Sequence, residues 1–309
     1  MSDFTSEFWN WYVAVLTVVS IIACLILLWI SGTTKVKATA DNTTGHVWDG
    51  DLREMNNPLP KWWVYLFIIT CVFSIAYGLL YPTFGKYQGL LGWSSDGQHK
   101  AEVAKVEKAI APIYAQFNGM TPQQLSGDAS AMAIGERLFM NNCAQCHGSD
   151  ARGARSFPNL TDRDWLWGGE PEAIKATITQ GRNGVMPPMA AAVGTPDDVR
   201  NVAHFVLSLS GSPHDSVRAA LGRAGFAACA ACHGADGKGN TAMGAPNLSD
   251  NTWLHGWGED AVVRAITKGF NNQMPAQAGK LNADQIRVLS AYVWGLSNKA
   301  GATAAAAGN

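Results

Sequence analysis

The segment Cys143-Ala144-Gln145-Cys146-His147 returns as Cys229-Ala230-Ala231-Cys232-His233. A Cys-x-x-Cys-His pentapeptide is the attachment site of a c-type haem: its two thiols form thioethers to the vinyl groups, and the adjacent imidazole supplies one axial nitrogen to iron. A single match could also be a dithiol redox motif or half of a zinc site. The repetition narrows the reading. Phe157-Pro158-Asn159-Leu160 is matched by Ala245-Pro246-Asn247-Leu248 and Trp165-Leu166 by Trp253-Leu254, and the offset then stays at 88 residues. It carries Ala173-Ile174 onto Ala261-Val262, Ile178-Thr179-Gln180-Gly181 onto Ile266-Thr267-Lys268-Gly269, and Met186-Pro187 onto Met274-Pro275. A duplicated unit binding two haems c is the economical account.

The same register selects the second axial ligands. Met186 and Met274 are the methionines that stay in register behind the two motifs, whereas Met189 aligns with Gln277 and reads as packing. A class I cytochrome c fold presents such a Met on the side of the haem opposite the His. Thioether opposite imidazole gives six-coordinate iron of raised potential, which passes single electrons and leaves no position for a substrate. His204 and His255 are rival sixth ligands, but in the other copy His204 faces Ala291 and His255 faces Trp167. The carbonyls of Pro158 and Pro246 are placed to accept from the free nitrogen of each proximal His and so fix its tautomer.

Helical apolar spacing surrounds each motif. Ala133 to Met140, with Phe139, precedes the first; Gly222 to Ala228, with Phe226, precedes the second. The closing helices are Asp197 to Leu209, with Val199, Val202, Phe205, Val206 and Leu209, and Asp284 to Leu296, with Ile286, Leu289, Tyr292, Val293 and Leu296. Two helices can then cross over each haem edge.

The first third of the chain is different material. Trp11 to Ile30 and Trp62 to Tyr81 are uncharged runs long enough to cross a bilayer as helices, and both are flanked by interfacial aromatics. A signal peptide would need a basic leading segment; this one has Asp3 and Glu7 and no Lys or Arg, so the first span is expected to be retained. Lys35, Lys37, Arg53 and Lys61 lie between the spans, which places that loop in the cytoplasm and both termini outside. Haem attachment on the periplasmic side of the bacterial inner membrane requires the same topology. Neither span contains His, Asp, Glu, Lys or Arg, so they read as an anchor and docking surface, with Cys24 and Cys71 as packing residues. A net charge of −1 gives no basic surface for nucleic acid.

The expected fold class is all-α: two transmembrane helices followed by two tandem class I cytochrome c domains. The expected divisions are 1–33 with the first span, 34–60 the cytoplasmic loop, 61–87 the second span, and 88–130 a linker with a helix around Lys100 to Asn118. They continue with 131–210 and 211–299, the two haem domains parted at Ser210-Gly211-Ser212-Pro213, and 300–309, a disordered Ala/Gly-rich tail.

His46-Val47-Trp48-Asp49-Gly50-Asp51-Leu52, and Asn56-Asn57-Pro58-Leu59-Pro60 directly before Trp62-Trp63, combine with the two haem motifs into a resemblance to the CcoP/FixP family, the di-haem subunit of cbb3-type cytochrome c oxidases. It covers nearly the whole chain. The resemblance implies a non-catalytic electron-transfer subunit of a proton-pumping oxidase that reduces oxygen. It implies as partners a catalytic subunit carrying haem b, haem b3 and copper, a mono-haem cytochrome c subunit, a soluble cytochrome c donor and membrane lipid. Cys143, Cys146, Cys229 and Cys232 carry over as haem attachments, and His147 with Met186 and His233 with Met274 as axial pairs. A self-standing membrane di-haem cytochrome is the alternative. A gas sensor, which needs an open axial position, is disfavoured by the paired methionines.

Overall fold

The computed structural model describes residues 6–33 and 39–306, with side chains described as far as Asn298. Asp3, Lys35, Lys37 and residues 307–309, on which the leader, orientation and tail expectations partly rest, lie outside the described residues. The chain forms two compact units, Met1–Ile110 and Ala111–Asn309.

In the first unit, helix α1 (Glu7–Thr33) and helix α2 (Lys61–Leu80) are both long and apolar enough to cross a membrane. At 1.5 Å per residue they extend about 40 and 30 Å, against a hydrocarbon core of about 30 Å. They are antiparallel neighbours. Asn10, near the start of α1, accepts from the backbone N–H of Lys86 beyond the end of α2, and Glu7 pairs with the Lys86 ammonium. Gly85 lies so close to Asn10 that a Cβ there would overlap the Asn10 amide oxygen. Ser20 and Ser74 line the cleft between the helices, together with Thr17, Phe73 and Tyr77. Gly78 gives room to the Phe84 ring of the same chain.

Between the spans the all-α expectation fails. Strand β1 (Thr43–Trp48) pairs antiparallel with β2 (Leu52–Met55), and the chain reverses through Asp49 and Gly50, both at positive φ. Thr43, Thr44, Val47 and Trp48 favour extended backbone, and Asp-Gly is a strong hairpin signal, so local propensity explains the strands. Helix α3 (Ser95–Ala115) begins five residues before the expected Lys100.

The second unit contains α4 (Pro122–Gly127), α5 (Ala129–Asn142), the one-turn α6 (Ala144–His147), α7 (Pro171–Gln180), β3 (Arg182–Met186), α8 (Ala190–Val193) and α9 (Pro196–Leu209). There follow α10 (Ser216–Gly222), a 3₁₀ turn (Gly225–Ala228), the one-turn α11 (Ala230–His233), α12 (Glu259–Lys268), β4 (Phe270–Met274) and α13 (Ala283–Ala306). Thr121 starts α4: Thr121 and Gln124 form a reciprocal capping box with Pro122 at the first helical position.

The two sequence copies exchange their closing helices. α13, from the second copy, lies across α5 of the first, with the Tyr292 Cβ where a Gly135 side chain would stand and its ring 5.8 Å from that of Phe139. α9, from the first copy, packs on α10 and the 3₁₀ turn of the second, with its Asn201 carbonyl against Gly222 and Phe205 5.2 Å from Phe226. One core gathers Phe139, Ala151, Ile174, Ile178, Leu281, Ile286, Leu289 and Val293; the other gathers Val199, Val202, Ala203, Val206, Leu207, Phe226, Val262 and Ile266. Every apolar position assigned to the closing helices lands in a core, but in the core of the other copy. The tandem division 131–210 and 211–299 is therefore corrected: the second core is nested within the chain that builds the first.

The crossover is made by β3 and β4, which pair antiparallel from Arg182↔Met274 to Met186↔Phe270. Past β3, Met189 N–H donates to the Ile266 carbonyl; past β4, Gln277 N–H donates to the Ile178 carbonyl. The two bonds are related by the repeat. Ser210-Gly211-Ser212-Pro213, expected as the domain boundary, is instead a tight corner between α9 and α10, where Ser212 is buried and its N–H donates to the Leu207 carbonyl. The expected disordered tail is helical through Ala306, because alanine has the highest helix propensity and α13 is already nucleated on the core.

If the chain is cut at Gly211, each half should expose its uncovered helix face. Halves 1–210 and 211–309 are expected to be soluble only when co-expressed in detergent and to elute together in size-exclusion chromatography; independently folded monomers would contradict the exchange.

Candidate haem-binding sites

Each pentapeptide forms a single helical turn. Cys143 caps α6, its carbonyl accepting from Cys146 and His147 N–H at 3.1 and 3.0 Å; the Cys229 carbonyl accepts from Cys232 and His233 at 3.2 and 3.0 Å. Gly148 and Gly234 end the turns at φ 79° and 78°. The next loop then closes on the His, as Gly153 N–H donates to the His147 carbonyl and Gly239 N–H to that of His233.

Both imidazoles are buried, and the expected proline contacts form: Nδ1 of His147 lies 2.9 Å from the Pro158 carbonyl, and Nδ1 of His233 lies 3.0 Å from that of Pro246. A carbonyl only accepts, so each Nδ1 carries the proton and each Nε2 keeps a free lone pair. Burial holds His147 below the ordinary histidine range, which keeps it neutral and fit for a metal.

None of the described cysteines is paired in a disulfide. Burial first, and the neighbouring Cys146 second, push the Cys143 thiol up to about 11, and Cys229 is raised in the same way. Redox dithiols work by a lowered thiol pKa, so this environment disfavours that reading. Among the described residues no group of three or more His, Cys, Asp or Glu side chains is placed to hold a metal ion. What faces each motif is apolar: Phe139, Leu160, Trp165 and Met274 near Cys143, and Phe205, Phe226, Leu248, Trp253 and Met189 near Cys229. Paired thiols, a lone imidazole nitrogen and an apolar wall fit a covalently attached haem.

The structure separates the methionines. Met274 ends β4 and packs into the first core with Cys143 and Ala144. Met186 ends β3 at the other end of the ribbon, its carbonyl against Gly269 at the close of α12, which belongs to the second core. The expected partners were Met186 for His147 and Met274 for His233; the methionine packed against the first core is Met274, and Met186 lies at the Gly269 end of the ribbon. Met189 packs in the second core, as expected.

Neither rival histidine is free for iron. His204 accepts at Nδ1 from the Asp215 N–H, and its Nε2 faces Glu259 at 3.3 Å. His255 stacks on Phe270, with Ser156 and Asn272 at its two nitrogens. Gly181 and Gly269 were visible as repeat positions but not as site residues. Both have positive φ, and a Cβ on either would collide with the carbonyl of Met274 or Met186 respectively, so they let the ribbon ends close over the methionines.

The fold and these sites define a c-type cytochrome on an apolar helical anchor. The model for the N-terminal domain of cytochrome oxidase-cbb3, FixP, matches residues 40–88, and that for cytochrome c oxidase, cbb3-type, subunit III, matches 130–206 and 218–293. The cbb3-type cytochrome c oxidase subunit CcoP of Rubrivivax gelatinosus is 59% identical over 96% of this chain and 97% of its own length. The FixP subunits of Rhizobium meliloti (strain 1021) and Bradyrhizobium sp. (strain ORS 278) are 40% and 41% identical over 82% and 85% of this chain, and 93% and 96% of their own lengths. The chain belongs to the CcoP/FixP family, subunit III of cbb3-type cytochrome c oxidases, and is a membrane-anchored cytochrome c electron-transfer subunit of that oxidoreductase.

Gly153→Ala tests the proximal loop. The added Cβ would meet the Phe157 and Pro158 carbonyls at 2.3 and 2.7 Å, on top of a positive φ. A stability loss of about 2 kcal/mol or more is expected in thermal unfolding, with a changed haem absorption spectrum.

Proposed function

We propose that this chain carries two covalent haems c, attached through Cys143 with Cys146 and through Cys229 with Cys232. His147 with Met274, and His233 with Met186, are the axial pairs. The observation that carries the reading is the doubled site: two buried imidazoles, each with Nδ1 on a proline carbonyl and Nε2 unused, with Met274 packed against the first core and Met186 at the opposite end of the ribbon, beside Gly269. Bound haem supplies reversible one-electron chemistry at iron.

The protein's residues do the rest. Pro158 and Pro246 hold the imidazoles in one tautomer and orientation, and the apolar side chains clustered with Cys143 and Cys229 would keep water from the porphyrins. With a His and a Met offered to each haem, no position would be left for oxygen, and this subunit would act as a relay and not as the oxygen-reducing site. Electrons from a soluble periplasmic cytochrome c pass through its two haems and the mono-haem subunit toward the haem b, haem b3 and copper of the catalytic subunit.

The anchor is read as a helical hairpin in the bacterial inner membrane, with the 34–60 loop cytoplasmic and both termini and the haem domain periplasmic. Antiparallel α1 and α2 favour termini on one side, and Arg53 and Lys61 add positive charge to the loop.

Gentle detergent purification of the tagged chain from its native membrane tests the assignment. Haem b, copper and oxygen uptake with reduced cytochrome c are expected to copurify; a lone polypeptide without copper would favour the self-standing cytochrome. Ligand exchange has its own test. In a chain whose second haem is removed by Cys229→Ala and Cys232→Ala, Met274→Ala should abolish the long-wavelength methionine-to-iron band of the remaining haem, whereas Met186→Ala should leave it.

A further inference from the structure

The two haem lobes interlock through positions that the repeat makes equivalent but fills differently. Trp167 of the first copy abuts Gly244 of the second, and its ring lies under the Arg182 guanidinium, 5.0 Å away. The counterparts of these three residues are His255, Ser156 and Phe270. There the contact is a hydrogen-bonded junction. The Ser156 hydroxyl lies 3.1 Å from His255 Nδ1, the Asn272 amide nitrogen 3.3 Å from its Nε2, and the ring stacks on Phe270 at 3.9 Å. The Arg155 guanidinium donates to the His255 carbonyl and Ser156 N–H to that of Leu254.

Ser156 is itself a sign of constraint. It sits at φ 72°, in the left-handed region, where its counterpart is Gly244 at φ 70°. A serine there is strained, and what it gains over glycine is the hydroxyl on His255. With the Asn272 amide donating, Nε2 accepts and Nδ1–H donates to Ser156, so the imidazole is neutral. Burial, and then the Arg155 charge, hold His255 below its ordinary range and agree with that tautomer.

We propose that His255 is a positioning residue that registers both axial ligands of the first haem against each other and so sets how an electron is shared between the two haems. One arm runs through Ser156 to Pro158, whose carbonyl orients His147; the other runs through Asn272, two residues before Met274 on β4. The corresponding route in the other lobe, through Trp167 and Gly244, has glycine in place of the Ser156 hydroxyl. His255 therefore acts unequally, mainly on the haem at Cys143. This rests on Met274 being that haem's ligand.

The test is a spectroelectrochemical titration of the purified intact oxidase, with Met274→His identifying the first haem by its change to bis-histidine spectra. His255→Phe, which keeps the stacking and loses both hydrogen bonds, is expected to shift the electron-sharing equilibrium between the haems about tenfold, about 59 mV for one electron. The first haem moves and the second holds, and His255→Gln, able to reach Asn272, recovers part of the change. Ser156→Ala, which removes one arm only, should shift the equilibrium in the same direction and serves as the test if the Phe variant fails to assemble. An unchanged equilibrium in the assembled variants, or equal movement of both haems, would overturn the proposal. If Met274→His leaves both spectra unaltered, the ligand assignment itself fails, which is a distinct result.

Discussion

The five antiparallel pairs between β3 and β4 are the constraint on which the haem-bearing unit depends. A two-stranded ribbon alone is marginal in water. Here each strand enters from a helix of one core and leaves into the other, so its pairing is held by both. Without that crossing, α9 would fold back on its own copy and the chain would be two beads joined at Gly211. With it, Phe139 meets Tyr292 instead of Phe205, and Phe226 meets Phe205 instead of Tyr292. Burial of either core requires both copies, and the separation of the two sites is fixed by secondary structure, not by a linker.

The crossing needs close approach at both ends, and glycine provides it. Gly181 and Gly269 combine positive φ with carbonyls at 2.4 and 2.2 Å from where a Cβ would lie, so any larger residue would force the ribbon from its methionines. Gly135 and Gly222 do the same where α5 crosses α13 and α10 crosses α9. A side chain at these helix crossings would cost strain of about 1–3 kcal/mol, comparable to a large fraction of a domain's net stability. The methionines then occupy opposite ends of one ribbon, about 14 Å apart along the strands at 3.4 Å per residue.

Much of this was legible in the sequence. The pentapeptides placed the thiols and imidazoles, the repeat register singled out Met186 and Met274, which lie at opposite ends of the ribbon, and the spacing of Phe139, Phe226 and the closing-helix residues named the cores' constituents. Their partners were not legible, for a physical reason. In a duplicated sequence every contact within a copy has an equivalent between copies, with nearly the same apolar groups, and hydrophobic burial is non-directional. Phe205 and Tyr292 satisfy either Phe139 or Phe226. What decides is the short extended connection after Gly181 and Gly269, whose direction is set by backbone geometry that no periodicity records. The β1–β2 hairpin was missed for a different reason: Asp49-Gly50 and the Thr-rich approach were there to be read, but the neighbouring spans made the whole segment look like a connecting loop.

Exchange also bears on how an electron relay can be tuned. In separate beads, each iron would take its ligands from one copy, and the two potentials would be adjusted independently. In the proposed pairing His147 and Met274 come from different copies, as do His233 and Met186, so a displacement of the ribbon would bear on both irons at once. Independent adjustment then has to come from groups that break the repeat symmetry. Ser156 against Gly244, His255 against Trp167 and Phe270 against Arg182 are such groups, and all three lie where the lobes touch. The symmetry fixes the geometry shared by the two candidate sites, and the departures from it are where unequal potentials, and hence a direction for electron flow, can be built.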